Sequence, residues 1–400
     1  MGHPLRLEIA RYTLVSALGR GLDATFARLR DGQSGLQTYT TAEGLVCEVG
    51  RVAGLEDVVL AQPLSRYNCR NNHLAALALE TDGFAEAVSQ LVEKVGAQHV
   101  GVVVGTSTSG ITATEGAYRD PSFLVIDVLP TSFPYRETHN VFSCADFTRR
   151  YLALKGPALV ISTACSSSAK AFATAARLIR SGTCRAVVVG GVDSLCDTTL
   201  YGFHSLGLLS RTKSQPFSAQ RDGISIGEAA GFAILAAPGV LGEGSGIVLA
   251  GVGDSADAYH MTAPHPQGLG AWEAMAAALT EARCDARDLD YIHLHGTGTI
   301  HNDAAEDLGI VKLGCQDTPV SSTKGATGHT LGAAGICAVA IVGLAMREGF
   351  IPGTINTKAR DPVLRSALVL NGRQATVHRA LINTFGFGGS NCSLLLEACS

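Results

Sequence analysis

The chain has 400 residues, 46% of them hydrophobic and only 16% charged, enough apolar material for a core larger than that of one ordinary domain. Its net charge of −4 comes from interspersed acids and bases, which leaves no electrostatic footprint for nucleic acid or an anionic membrane and disfavours modules that bind them. No apolar stretch approaches the roughly 20 residues that span a bilayer, and Met1 to Arg11 lacks the three-part pattern of a signal peptide, so a cytoplasmic protein without a membrane span is expected. Eleven cysteines lie scattered from Cys47 to Cys399 with no Cys-x-x-Cys pair and no Cys/His cluster at zinc spacing. No metal site is expected, and in a reducing compartment most of these cysteines serve as small buried apolar residues.

In chain order, β-branched runs predict strands at Val100–Val104, Leu159–Ser162, Ala186–Val189, Gly231–Leu235, Ile247–Ala250, Tyr291–Leu294, Leu381–Thr384 and Cys392–Leu396. Helical patterns occupy Ser166–Arg180, Ala271–Ala282, Ala304–Leu313 and Gly332–Arg347. Strands apolar at nearly every position predict sheets covered by helices on both faces, a layered α/β architecture. Small residues, glycines and a proline from Ala236 to Gly246 mark a boundary near residue 240, dividing the chain into residues 1–240 and 241–400. No internal repeat is visible in the residues themselves. Tyr118 to His139, with three prolines and several aromatics, reads as an irregular excursion that shapes a pocket or a subunit contact.

Four segments carry residue types suited to chemistry. Thr163-Ala164-Cys165-Ser166-Ser167-Ser168 follows an apolar strand and opens a helix, where unpaired amides and the helix dipole favour a thiolate. His295-Gly296-Thr297-Gly298-Thr299 ends a strand, and its small residues bring amides and hydroxyls near a ligand. Lys324-Gly325-Ala326-Thr327-Gly328-His329 sets a lysine close to a histidine, where it keeps the imidazole neutral or orients a group beside it. Phe385-Gly386-Phe387-Gly388-Gly389-Ser390-Asn391 is a glycine-rich turn that exposes backbone amides, without the Gly-Lys-Ser/Thr ending of a phosphate loop. Singly, each segment also fits a structural role: packing with serine capping for Cys165, a satisfied core histidine for His295, surface charge for Lys324 and an ordinary hairpin for the turn. Asn302, Asp303 and Glu306 read first as caps of the helix that follows.

In this order the segments resemble the elongating β-ketoacyl-acyl-carrier-protein synthases and the related ketosynthase domains of polyketide synthases. The resemblance runs from about residue 98 onward and includes Pro216-Phe217, Arg221-Asp222-Gly223 and Gly227-Glu228-Ala229-Ala230-Gly231. It implies the thiolase fold, a five-layered α-β-α-β-α core from two related halves, the first carrying the nucleophile and the second the histidines. It implies that Cys165 takes an acyl chain as a thioester, while His295 and His329 bind the thioester carbonyl of malonyl-acyl-carrier protein as it loses carbon dioxide. Two Nε2–H donors converging on that oxygen would stabilise the charge that develops in the transition state.

The resemblance further implies a second oxyanion site from the backbone N–H groups of Cys165 and Phe387, with Phe387 gating the acyl pocket. Lys324 joins the catalytic set, and Thr297, Thr299, Gly386 and Gly388 are candidates for holding substrate. No resident cofactor is expected, since the phosphopantetheine arrives on the acyl carrier protein. The expected assembly is a homodimer, or a heterodimer with a ketosynthase-like chain-length factor, in fatty-acid or polyene/polyketide-type elongation. A non-catalytic chain-length subunit and a degradative CoA-dependent thiolase are the alternatives; the intact Cys165, His295 and His329 oppose the first, and the His329 segment opposes the second. Two departures stand out. Ala338 occupies the place, fourteen residues beyond Lys324, of the glutamate that pairs with this lysine in fatty-acid synthases, and the usual N-terminal strand becomes the charged Leu5-Arg6-Leu7-Glu8-Ile9-Ala10-Arg11-Tyr12-Thr13.

Overall fold

A computed structural model describes residues 6–120, 129, 132–240 and 246–399. The excursion at 118–139 and the boundary at 236–246 therefore fall partly outside the described residues. Ten strands build the frame: β1 (Leu7–Ser16), β2 (Val100–Gly105), β3 (Ala158–Ile161), β4 (Ala186–Asp193), β5 (Ala229–Ala236), β6 (Ile247–Ala256), β7 (Tyr291–His293), β8 (Pro319–Ser321), β9 (Arg379–Gly386) and β10 (Ser390–Ala398). The helices used below are α1 (Arg70–Leu79), α2 (Ile111–Tyr118), α3 (Ser143–Tyr151), α4 (Ser167–Arg180), α5 (Asp197–Ser205), α6 (Leu269–Ala282), α7 (Ile300–Leu313) and α8 (Ala334–Glu348). Every strand and helix expected from the sequence is present, with ends shifted by a few residues.

Hydrogen bonding follows one path, β8-β7-β9-β10-β6-β1-β5-β4-β2-β3. The path is the same topology used twice. In the first half β2 lies parallel between β3 and β4, then β4, β5 and β1 follow antiparallel. In the second half β7 lies parallel between β8 and β9, then β9, β10 and β6 follow antiparallel. The halves join where β1 pairs with β6 through Leu7, Glu8 and Ile9. The duplication invisible in the residues is thus carried by strand pairing.

The period-two alternation of each strand sorts its side chains into separate cores. Val187 and Val189 of β4 and Ile382 of β9 enter a central core with α4 and α8. Val188 instead packs outward with α1 and α3, and Leu381 packs outward with α6. The order is therefore outer helices, sheet, α4 with α8, sheet, outer helices, the five-layered α/β thiolase arrangement. Small residues let the central helices touch: a Cβ on Gly335 would lie 2.4 Å from Ala169 N, and Ile336 N–H donates to Ser168 Oγ at 3.1 Å. The stretch Leu331–Glu348 has the length and apolarity to cross a membrane, which the sequence analysis did not expect, but 83% of it is buried inside the protein. A helix apolar all round is what a central layer requires.

Candidate active site

The chain between β3 and α4 turns within five residues, and Ala164 takes a left-handed φ of 51° to do so, a conformation costing a non-glycine residue roughly 1 kcal/mol. Serine side chains tie the elbow: Ser167 Oγ accepts from Thr163 N–H at 2.9 Å and donates to Ala164 O at 2.6 Å, while Ser166 Oγ donates to Thr163 O at 2.9 Å. Ser166 makes no side-chain cap to α4, so these serines fix the turn and leave the capping role unfilled. The opposite wall is the β9–β10 hairpin, and a Cβ on Gly386 would stand 2.8 Å from Thr163 O. Glycine is required there to bring the hairpin onto the elbow.

Cys165 is 5% exposed. Burial pushes its thiol up to about 11, against the lowering influence of the Lys324 charge and of the backbone N–H groups of Phe387 and Cys165 itself. These two amides approach the sulfur, but desolvation outweighs them and the resting group is a thiol.

His295 follows β7 and its backbone is clamped. Glu306 accepts from His295 N–H at 2.8 Å and from Gly296 N–H at 2.7 Å, and Asn383 steadies the same carboxylate at 3.0 Å. On the other side Lys324 Nζ donates to the His295 carbonyl and reaches its Nδ1 at 3.4 Å. One peptide unit thus lies between a buried anion and a buried cation. Burial lowers Lys324 and raises Glu306, and Glu306 is the largest charge holding the ammonium protonated. That is the counter-charge the sequence left open at Ala338, supplied through the backbone.

His329 is fixed by its N–H to Ser225 O at 2.7 Å, and its Nδ1 accepts from Leu331 N–H at 3.3 Å. Burial first, and the Lys324 charge second, hold both imidazoles well below their ordinary range, so both are neutral. Because each Nδ1 accepts, each ring carries its proton on Nε2. The rings stand edge to face with centroids 5.3 Å apart.

Cys165, His295, His329, Thr297, Thr299, Gly386 and Phe387 line one cavity of about 500 Å³. Thr297 and Thr299 face each other there, Oγ1 to Oγ1 at 2.9 Å, and the Phe387 ring stacks obliquely on Phe203 of α5 at 5.5 Å. Two candidates fall outside the lining. Lys324 sits behind His295, and Gly388, at φ 81°, spends its N–H on Met261 O at 2.7 Å. Among the described residues no cluster of three or more His, Cys, Asp and Glu side chains could hold a metal.

Sequence reasoning missed Asp193, which is fully buried at the end of β4. It accepts from Thr106 Oγ1 at 2.7 Å, Ser107 N–H at 2.8 Å, Thr108 N–H at 2.9 Å and Gly332 N–H at 2.6 Å. The last bond ties the first half to the segment that follows His329. An acid closing an all-apolar strand was its one visible signal. Asp303, expected as a helix cap, instead reaches back to Phe217 N–H at 2.8 Å and Gly298 N–H at 3.2 Å. Glu228 of the quoted Gly-Glu-Ala-Ala-Gly run accepts from Val52 N–H and Leu195 N–H, each at 3.0 Å, and pairs with Arg70.

A thiol at an elbow, facing two neutral imidazoles across the seam of a duplicated five-layered α/β fold, places the molecule among the condensing enzymes of the thiolase fold. Residues 70–237 match the Beta-ketoacyl synthase N-terminal domain and residues 247–358 the Beta-ketoacyl synthase C-terminal domain. The chain belongs to the β-ketoacyl synthase family. It is 32% identical over 423 residues to the 3-oxoacyl-acyl-carrier-protein synthase 2 of Rhizobium meliloti (strain 1021), an alignment covering 98% of each chain. Among solved structures it resembles the ketosynthase ApeO in complex with its chain length factor ApeC from Xenorhabdus doucetiae, with a TM-score of 0.89, 35% identity and complete coverage of both chains. The ishigamide ketosynthase/chain length factor gives a TM-score of 0.91 at 26% identity, covering 99% of this chain and 100% of that one. The likeness includes the N-terminal region, where the charged β1 holds the central place between the halves.

Proposed function

We propose that the protein condenses malonyl-acyl-carrier protein, with loss of carbon dioxide, onto an acyl chain held as a thioester on Cys165, giving β-ketoacyl-acyl-carrier protein. The observation that carries this reading is the pair of neutral imidazoles, each with Nδ1 engaged as an acceptor and with no partner for Nε2–H among the described residues, on the wall that also holds the Cys165 thiol. In the loading step the Cys165 sulfur attacks the acyl thioester; its proton leaves with the phosphopantetheine thiol of the carrier. The amides of Cys165 and Phe387, which converge on that sulfur, are placed to receive the oxyanion of this step and of the later condensation. Malonyl thioester then enters with its carbonyl oxygen between His295 and His329. As carbon dioxide departs, the electron pair moves into the thioester and its charge falls on the two Nε2–H donors. The resulting enolate attacks the acyl carbonyl and expels the Cys165 thiolate.

Lys324 holds the His295 peptide and ring and does not touch substrate in this scheme. Phe387 gates the acyl cavity, and Thr297 and Thr299 bind the pantetheine arm, which arrives on the carrier so that no resident cofactor is needed. The elbow and the histidine segments lie on either side of residue 240, consistent with one nucleophile-bearing and one histidine-bearing half. The named complexes among the similar structures favour pairing with a chain-length-factor subunit over a homodimer. A cytoplasmic location agrees with eleven cysteines that form no disulfide. Intact-protein mass spectrometry with acyl-carrier proteins tests the core of the reading: an adduct on Cys165 that is lost in Cys165→Ala is expected. Adducts on other residues, or none in the presence of a chain-length-factor subunit, would contradict it.

A further inference from the structure

Helix α5 forms one wall of the acyl cavity, and its position rests on unusual supports. Of its nine residues only Leu200 is fully buried, in a small apolar cluster with Val49, Ile226 and Leu331 against which Phe203 also packs, so apolar contact fixes one face of the helix. Its N-cap, Cys196, makes no side-chain cap. Glu115, on α2, supplies the cap from outside: Oε1 accepts from Thr198 N–H at 2.7 Å and Thr198 Oγ1 at 2.6 Å, and Oε2 from Asp197 N–H at 3.3 Å. A carboxylate at that end also complements the helix dipole. Just past the end of α2, Arg119 donates to Asp197 Oδ2 at 2.5 Å and to Glu43 at 3.3 Å. Tyr201, midway along α5, is held by Thr41 at 2.6 Å and Glu43 at 3.2 Å. A second cavity of about 230 Å³, separate from the active site, lies at this junction and includes Thr112, Glu115, Asp197 and Leu200 in its wall. The helix therefore has polar anchors at one end, open space beside them, and Phe203 against Phe387 at the other end.

We propose that Glu115 is a positioning residue for acyl-chain selection, setting through α5 how Phe203 meets Phe387 across the acyl cavity. Helix α2 is itself rooted in the Thr106–Thr108 segment that Asp193 binds, so the anchor has a rigid base, whereas α5 carries a single fully buried side chain. The inference rests on the reading that an acyl chain is loaded onto Cys165. It differs from a purely structural role in predicting a change in discrimination between acyl chains.

The test compares loading of Cys165 by a short and a long saturated acyl-carrier protein, read by mass spectrometry, in the parent protein and in Glu115→Ala, Phe203→Ala and the double variant. Glu115→Ala should change the long-to-short ratio of loading rates about fivefold or more, the scale of losing one helix cap. The double variant should change it no more than the larger single variant, because both act through one helix. Tyr201→Phe, which loosens the same helix and leaves the cap intact, should shift the ratio in the same direction and keeps the test alive if Glu115→Ala folds poorly. An unchanged ratio, equal slowing of both donors, or independent addition of the two effects would overturn the inference. Loading confined to residues other than Cys165 in the parent would overturn the underlying reading of the site, which separates that failure from this one.

Discussion

The two halves share a strand order and place chemistry at the same junction, between the third strand and the central helix, yet they use it differently. In the first half β3 passes to α4 through five residues tied by their own serines, and the product is a single sulfur at a rigid elbow. In the second half β8 passes to α8 through twelve residues, long enough to hold both Lys324 and His329. Each half also buries carboxylates that bind backbone N–H groups, among them Asp193 in the first and Glu306 in the second. Asp193 reaches across to Gly332, whereas Glu306 stays within its own half on His295 and Gly296. A duplicated frame thus supplies equivalent positions, and loop length decides whether a position holds a nucleophile or a set of oriented donors.

The largest effect is expected at Asp193, whose carboxylate binds Thr106 of the first half and Gly332 of the second. Asp193→Ala strands several buried donors and should destabilise the protein by about 3–5 kcal/mol, with malonyl decarboxylation falling at least about 100-fold as Gly332 and the His329 segment lose their anchor. Chemical denaturation and carbon dioxide release measure the two. A loss confined to acyl loading would show that the buttress belongs to the first half alone.

Within the second half, Lys324→Met should slow decarboxylation by roughly 10- to 100-fold, the scale of removing a group that orients a catalytic ligand. The same lysine sets a pH limb. Burial lowers it, so the ammonium is present below its shifted value and lost as pH climbs through that value, well before an ordinary lysine would titrate. Activity should therefore decline on the mildly alkaline side, and the decline should be absent in Lys324→Met. A decline of the same size in the variant would assign the limb to another group.

A smaller effect sharpens the contrast from the other half. With the Cys165 thiol near 11, its alkylation by iodoacetamide should rise about tenfold per pH unit between pH 7 and 9, because only the thiolate reacts. A rate already on a plateau near neutrality would mean that the amides of Cys165 and Phe387 outweigh burial.

Much of this arrangement was legible in the sequence, for physical reasons. Strands buried on both faces must be apolar at nearly every position, so β2, β4 and β9 announce themselves. Cys165, His295, His329 and Lys324 stand among small residues that close approach demands. The repeat was hidden because strand pairing preserves it while the side chains at matching positions have diverged. β1 was obscured by its charges: Glu8 accepts from Gly239 N–H at 3.1 Å, and the register breaks between Ile9 and Tyr12. β8 is three residues long, too short for any period to show. The role of Asp193 depends on Thr106 and Gly332, 87 and 139 residues away in the chain, and no local pattern records such a bond.

The proposed division of labour gives decarboxylation to His295 and His329 and acyl transfer to Cys165. It is tested most directly by measuring carbon dioxide release from malonyl-acyl-carrier protein and acyl loading of Cys165 side by side in His295→Ala and His329→Ala. Removing one oxyanion donor should cut decarboxylation by about 100- to 1,000-fold and leave loading readily detectable. Equal loss of both activities in folded protein would contradict the division of labour.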